Sequence, residues 1–103
     1  MTAYVLTAET RSDYFDASDF IASNSAKAAL RWESKILEAF DHLSEWPHTG
    51  HLRPEFASEL IRFWVEGDYL VIYDPHAAPI AIIGILHGAQ DLLGLIAAVS
   101  NTT

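Results

Sequence analysis

The sequence has no cysteine among its 103 residues, which excludes disulfide bonds and thiol-based catalysis. Basic residues are scarce: six Lys and Arg stand against fourteen Asp and Glu, for a formal net charge of −8. This balance opposes non-specific binding to nucleic acid, whose phosphates attract Lys and Arg. Long hydrophobic runs are also lacking, since residues 80–86 and 92–99 fall well short of the roughly 18 apolar residues of a membrane span.

The residues that are present suit a folded domain. Half are apolar and 12% are aromatic, which is a composition that favours a packed core over disorder. The length predicts one domain over residues 1–103. The N-terminus lacks a basic region followed by an apolar run, so we expect no signal peptide and a cytoplasmic protein.

The first half of the chain carries a short strand pattern and two helical patterns. Residues 3–6 predict a strand, and Thr7 stands at the N-cap position of a helix predicted from residue 8 to about 22. A stronger helix is predicted over 26–43, where apolar residues recur at every third or fourth position: Ala29, Trp32, Ile36, Phe40 and Leu43. The two helices should form an antiparallel αα-hairpin, because only a short turn joins them.

The second half predicts three hairpin-linked strands after a loop at 48–55. The predicted elements are strands over 60–65, 69–73 and 80–86, a tight turn at 66–68, and a short C-terminal helix over 89–100. The fold class is therefore α+β, with an antiparallel three-stranded meander covered on one face by the helical hairpin. We expect the helical stripe to pack on Leu70, Ile72, Ile82 and Ile85, or on the alternate residues of those strands.

Several fragments, taken in order, resemble the RelE/ParE toxin superfamily of type II toxin–antitoxin systems, and its ParE-like branch in particular. They lie at residues 4–9, 46–55, 61–63, 69–73 and 85–91. The resemblance implies a compact sheet-and-hairpin domain of the bacterial cytoplasm that a cognate antitoxin silences. It leaves two assemblies open, a homodimer and a heterotetramer with the antitoxin. It also implies growth inhibition through DNA gyrase or through ribosome-bound mRNA, and a role in plasmid stabilisation.

Two arginines are candidate target-binding residues. Arg53 lies between Gly50 and Pro54, which would present its guanidinium rigidly to a carboxylate or phosphate, although an ion pair with Glu55 or Glu59 explains it equally well. Arg62 opens the strand at which the superfamily commonly keeps an arginine. A contact with target or antitoxin is favoured slightly over a stem that covers the sheet while its head is solvated.

The C-terminal segment supplies the other candidates. His87 and Asp91 form the His-Gly-x-x-Asp end typical of the superfamily, for which a structural or contact role is favoured over acid–base chemistry. Tyr69 and Tyr73 share one strand face, and packing with one hydroxyl hydrogen bond is the favoured account of both. The predicted helix is apolar nearly all round, so an antitoxin or a second copy is expected to contact Leu92, Leu93, Leu95 and Ile96.

No cofactor or metal is expected. His48 and His51 supply half of a metal site at best, because no cysteine or nearby acidic ligand accompanies them. His51 and Gln90 replace basic residues that are usual in the superfamily, which weakens the argument for an intact basic site.

The leading hypothesis is a ParE-like toxin that inhibits gyrase without being a nuclease, since few cations are available to stabilise phosphate in a transition state. Three alternatives remain open: an mRNA endoribonuclease using Arg53, Arg62 and His87; a degenerate toxin that retains antitoxin binding; and a plain protein-interaction module.

Overall fold

The structure, a computed structural model, describes residues 4–52 and 60–88. Its elements, in chain order, are β1 (Tyr4–Leu6), α1 (Ala8–Ala22), α2 (Ala26–Glu45), β2 (Arg62–Glu66), β3 (Tyr69–Asp74) and β4 (Ile80–His87). The predicted C-terminal helix and Arg53 lie outside these ranges. Neither helix of the described part is long and apolar enough to cross a membrane. The α+β class is confirmed.

Both helices begin where the sequence predicts, because each has a hydroxyl cap. Thr7 is extended, and its side chain accepts a hydrogen bond from the Thr10 backbone N–H at 3.2 Å. Ser25 is also extended and accepts from the Ala28 N–H at 3.1 Å. The second helix continues two residues past the predicted end at residue 43.

The four strands form one mixed sheet in the order β1-β4-β3-β2. The predicted antiparallel meander is present as β2-β3-β4. The prediction of a purely antiparallel, three-stranded sheet is wrong, because β1 joins as a fourth strand and pairs in parallel with β4, from Tyr4 opposite Ile80 to Leu6 opposite Ile82. The pairing gives the polar backbone groups of both strands partners that neither finds locally.

The turn between β2 and β3 is tighter than predicted. Glu66 pairs with Tyr69 in the ladder, so only Gly67 and Asp68 remain in the turn, and Gly67 has a φ of 60°. A glycine with positive φ in the first of two turn positions suits the right-handed twist of the flanking strands. Strand β2 accordingly starts two residues later than predicted and ends one later.

The sheet face toward the hairpin is set by an irregularity in β4. The register shifts between Ile72 and Tyr73, where Gly84 and then Ile82 are the partners, so Ile83 is left out of the ladder. This shift turns both Ile82 and Ile85 into the core. On β3 the core residues are Tyr69, Val71 and Tyr73, which are the alternates of Leu70 and Ile72.

The core lies between this face and the predicted stripe of α2. Ile36, Phe40 and Leu43 are fully buried, and Trp32 is partly buried against them, as predicted. Burial of this kind is worth roughly 1.5–3 kcal/mol for each large apolar side chain, so these residues of α2 stabilise the packing of the hairpin on the sheet.

Candidate functional site

A loop after α2 is fastened to the sheet by one phenol. The Tyr73 hydroxyl donates to the Pro47 carbonyl at 2.7 Å and accepts from the Gly50 N–H at 2.9 Å. Tyr73 is fully buried, and burial raises its pKa above 10.0, although the Gly50 hydrogen bond and the nearby Arg62 charge oppose that rise. The hydroxyl is therefore a neutral structural group that holds the loop leading toward Arg53.

Gly50 is required by this close approach. A Cβ at this position would lie 2.7 Å from Tyr73 Cε1 and 2.9 Å from Cζ, which is closer than real side chains come. A backbone bridge continues the attachment, since the His51 N–H donates to the Phe63 carbonyl at 2.7 Å and the Phe63 N–H returns the bond at 2.8 Å. The loop thus joins the outer edge of β2.

Arg62 belongs to the same attachment. Its Nη1 donates to the Gly50 carbonyl at 2.8 Å, and its side chain is half-buried. A charge-assisted hydrogen bond of this kind is stronger than a neutral one. Arg62 therefore supports the loop that precedes Arg53 in the sequence.

His87 lies at the other end of the sheet. It is the last residue of β4, it is exposed, and its ring packs against Tyr69 at a centroid distance of 4.9 Å and Phe20 at 6.3 Å. The next residue, Gly88, donates its N–H to the Asp68 carbonyl at 2.9 Å. This contact ties the end of β4 to the β2–β3 turn and sets where the imidazole stands.

Two acidic side chains share a depression with this imidazole. Asp13 and Asp16 line a depression of about 290 Å³ with Phe20 and His87. Burial raises the pKa of Asp13 above 3.8, and the charges of Asp16 and Glu9 raise it further. Negative charge therefore accumulates where the superfamily resemblance predicts a target contact, which disfavours a phosphate at this position.

The structure separates Arg62 from His87. Arg62 pairs with Tyr73 and His87 pairs with Tyr69, so the two residues flank opposite ends of the same β3 face. Four residues of strand correspond to about 13 Å. The packed core around Val71 fills the space between them. The strand register therefore places these two residues at separate ends of the sheet.

Histidines do not assemble into a metal centre in the described part of the chain. The rings of His48 and His76 approach to 5.9 Å, and His42 packs on Trp64 at 5.2 Å. His51 is engaged through its backbone in the bridge to β2. These contacts place the three rings on the surface around the loop, and none of them joins a carboxylate cluster.

The remaining predicted residues, Arg53, Asp91, Leu92, Leu93, Leu95 and Ile96, lie outside the described ranges. Sequence reasoning missed the roles of Tyr73 and Gly50 in holding the loop, and the position of Asp13 and Asp16 beside His87. The glycine of the Pro-x-x-Gly motif at residues 47–50 was a signal for the close contact with Tyr73. Nothing local predicts the second, since more than 70 residues separate Asp13 from His87.

Comparison with known families gives one match. The family model described as the ParE toxin of the type II toxin–antitoxin system, parDE, matches residues 4–92, which include every described residue. A comparison with curated proteins finds no match.

Proposed function

Because the chain belongs to the ParE toxin family of type II toxin–antitoxin systems, we propose that it is a toxin that binds and inhibits DNA gyrase without cleaving nucleic acid. We propose further that a cognate antitoxin neutralises it in the bacterial cytoplasm. The observation that carries the first proposal is the separation of Arg62 from His87 by the hydrophobic core.

A metal-free nuclease needs a cation and a proton-transfer group on the same phosphate. After Lys35 the sequence has two basic residues, Arg53 and Arg62, and Arg62 already donates to the Gly50 carbonyl. His87 shares one depression with Asp13 and Asp16 and a second with Lys35, Glu66 and Asp68, so acids outnumber the single cation around it. This distribution favours short-range contacts to a protein target over neutralisation of an mRNA backbone.

Arg53, Arg62, His87 and Asp91 remain the proposed target-binding residues, with a division of labour. Arg53 is the proposed direct contact, because it follows the loop that Tyr73 and Arg62 hold in place. Arg62 contributes mainly by holding that loop. Leu92, Leu93, Leu95 and Ile96 are the proposed contacts with the antitoxin or a second copy.

Two assays on the purified chain test the activity. We expect it to inhibit supercoiling of relaxed plasmid by gyrase, and to leave mRNA intact in primer-extension assays on translated message. Reproducible cleavage within codons would instead identify a ribosome-dependent endoribonuclease. A folded chain that inhibits neither process and does not arrest growth would support the degenerate toxin.

Arginine variants test the site in growth assays. Arg53→Ala should weaken inhibition with an unchanged melting temperature, because it removes a charge-assisted contact worth about 1.5–3 kcal/mol. Arg62→Ala should weaken inhibition and also lower the melting temperature, because it releases Gly50. Arg11→Ala on α1 removes the same charge elsewhere and should do neither. Full toxicity in the Arg53→Ala/Arg62→Ala double variant would remove both residues from the site.

Antitoxin capture is tested separately. Co-expression with the adjacent gene and purification through a tag on the toxin should recover a complex with nanomolar or tighter affinity, on the order of −12 kcal/mol. Recovery of the toxin alone at every salt concentration would contradict this part of the proposal without affecting the gyrase assay.

A further inference from the structure

The side of the helical hairpin that faces away from the sheet carries large apolar side chains. Phe15 on α1 is 58% exposed, and Leu30 on α2 is 64% exposed. Both lie opposite the buried stripes of their helices, which contain Ala17 and Ile21 on α1 and Ile36 and Phe40 on α2. An apolar residue of this size on each outer helix face is more than the hairpin needs for its own packing.

Charges are sorted between the two outer faces. The outer face of α1 consists of Ser12, Phe15, Asp16 and Asp19, all exposed and spaced at i, i+3, i+4 and i+7, with Asp16 at the margin toward the His87 depression. The outer face of α2 has the same spacing and consists of Lys27, Leu30, Arg31 and Ser34, which together line one shallow surface. One face is therefore acidic and the other is basic, and each has one large apolar residue.

These charges have no ion-pair partner among the described residues. In the part that the structure describes, Lys27 and Arg31 form no ion pair, and neither do Asp16 and Asp19. Three of the six basic residues of the whole chain lie on α2, namely Lys27, Arg31 and Lys35. In a protein of net charge −8, the pair Lys27 and Arg31 on one exposed helix face is complementary to an acidic helix, and α1 is such a helix.

We propose that the outer face of the hairpin binds a second copy of this chain, with α1 of each copy on α2 of the other. The turn at Ser23–Ser25 joins the helices, so the acids at residues 16 and 19 and the bases at 27 and 31 lie at the same end of the hairpin. A two-fold axis that runs in the interface between the helices exchanges α1 and α2 and keeps that end in place. The acids of each copy then meet the bases of the other, and the contact closes as a dimer.

The opposite end of the hairpin carries charges of both signs, since Glu9 and Lys35 are exposed there as well. Arg11 lies in the first half of α1, and Glu38 and Asp41 lie in the second half of α2. The same axis places Arg11 of one copy near these acids of the other. The match of acids with bases at the turn end singles out a second copy as the occupant, because it fixes both partner and orientation.

A charge exchange tests the proposal by sedimentation velocity. The parent chain should dimerise in the micromolar range, and added salt should weaken the dimer. The Asp16→Lys/Asp19→Lys and Lys27→Glu/Arg31→Glu variants should each shift the dimerisation midpoint to at least tenfold higher concentration. Mixing the two variants should restore a heterodimer, since each supplies the charge that the other needs. Leu30→Ser should weaken the dimer without lowering the melting temperature, because Leu30 is exposed.

The control is Glu66→Lys/Asp68→Lys, which makes the same charge change at the β2–β3 turn and should leave dimerisation unchanged. A parent chain that stays monomeric throughout the micromolar range overturns the proposal, as does a dimer that both charge variants retain. A monomer whose antitoxin capture is lost in Leu30→Ser also overturns it, and assigns the face to the antitoxin. None of these outcomes depends on gyrase inhibition.

Discussion

Tyr73 connects three parts of the molecule at the scale of one residue. Its ring belongs to the core under α2, and its hydroxyl holds the carbonyl of Pro47 and the N–H of Gly50. A buried polar group must be hydrogen-bonded to avoid a desolvation penalty, and here the partners are backbone groups of the loop itself. Packing and loop position are therefore coupled through one side chain.

Tyr73→Phe should lower the free energy of unfolding by about 1–3 kcal/mol, because the Gly50 N–H and the Pro47 carbonyl lose their partner. Urea denaturation measures the change. Tyr69→Phe is the matched control: Tyr69 is also buried, but its hydroxyl makes no hydrogen bond among the described residues, so we expect a much smaller effect. Equal losses in the two variants would contradict the assigned role.

Gly50→Ala should destabilise the protein more than Gly84→Ala. The new methyl group would meet the ring of Tyr73, which the core holds in place. At Gly84 the nearest atom is Ile72 Cδ1 at 3.3 Å, the end of a flexible side chain that can move aside. Thermal melts of the two variants compare the two sites, and a melting temperature for Gly50→Ala at or above that of Gly84→Ala would show that the loop can move away.

Helix starts are the clearest features at the scale of elements. Thr7 directly follows β1, and its backbone N–H donates to the Ile82 carbonyl at 3.2 Å, so the cap of α1 is also attached to β4. Its hydroxyl lies 2.7 Å from that of Thr10, which is fully buried. Thr7 thus follows the strand, caps the helix and forms a hydrogen bond with a buried hydroxyl group.

Thr7→Ala should therefore cost more than Ser25→Ala, although both remove an N-cap. Loss of a cap costs about 1 kcal/mol, and Thr7→Ala also leaves the buried Thr10 hydroxyl without its partner, which adds about 1–3 kcal/mol. Denaturation midpoints measured on both variants test the order. A larger loss for Ser25→Ala would show that the Thr7–Thr10 contact does not stabilise the fold.

At the scale of the whole molecule, buried phenols predict a response to alkali. The pKa values of Tyr4, Tyr14, Tyr69 and Tyr73 are all raised above 10.0, chiefly by burial. The phenolate forms more easily in the unfolded chain than in the folded one. The resulting stability is fully present below the unfolded value and is lost as the pH rises through the folded values.

The urea midpoint should therefore be constant at mildly alkaline pH and should fall above about pH 10. Tyr14→Phe should reduce the decrease of the urea midpoint with pH, because one phenol with a raised pKa is removed. Phe63→Leu removes no titrating group and should leave the slope of the midpoint against pH unchanged. Tyrosinate absorbance near the transition measures the coupling directly. A midpoint that does not fall above this pH would contradict the shared burial effect.

Charge is also organised at this scale. The loop end holds Arg62 beside Gly50, and the His87 end gathers Asp13 and Asp16. The hydrophobic core keeps these ends apart, so the molecule presents two surfaces of different character instead of one mixed site. This separation is the main reason for proposing a binding toxin over a nuclease.

The sequence by itself determined the helical hairpin, the meander and the family. Caps at Thr7 and Ser25 and the periodicity of α2 are local signals, so the two helix starts, the stripe from Ala29 to Leu43 and the α+β class could be predicted. The order of weak motifs along residues 4–91 was enough to identify the superfamily, since the identity of neighbouring residues carries that information.

Only the tertiary structure decided how distant segments meet. The parallel pairing of β1 with β4 depends on backbone groups more than 70 residues apart, which no local pattern encodes. The shift at Ile83 decides which strand residues face the core, because one residue of register reverses every side chain beyond it. The contact of Gly50 with Tyr73 follows from these strand pairings. The distance between Arg62 and His87 follows from them too, together with the core residues packed between those two positions.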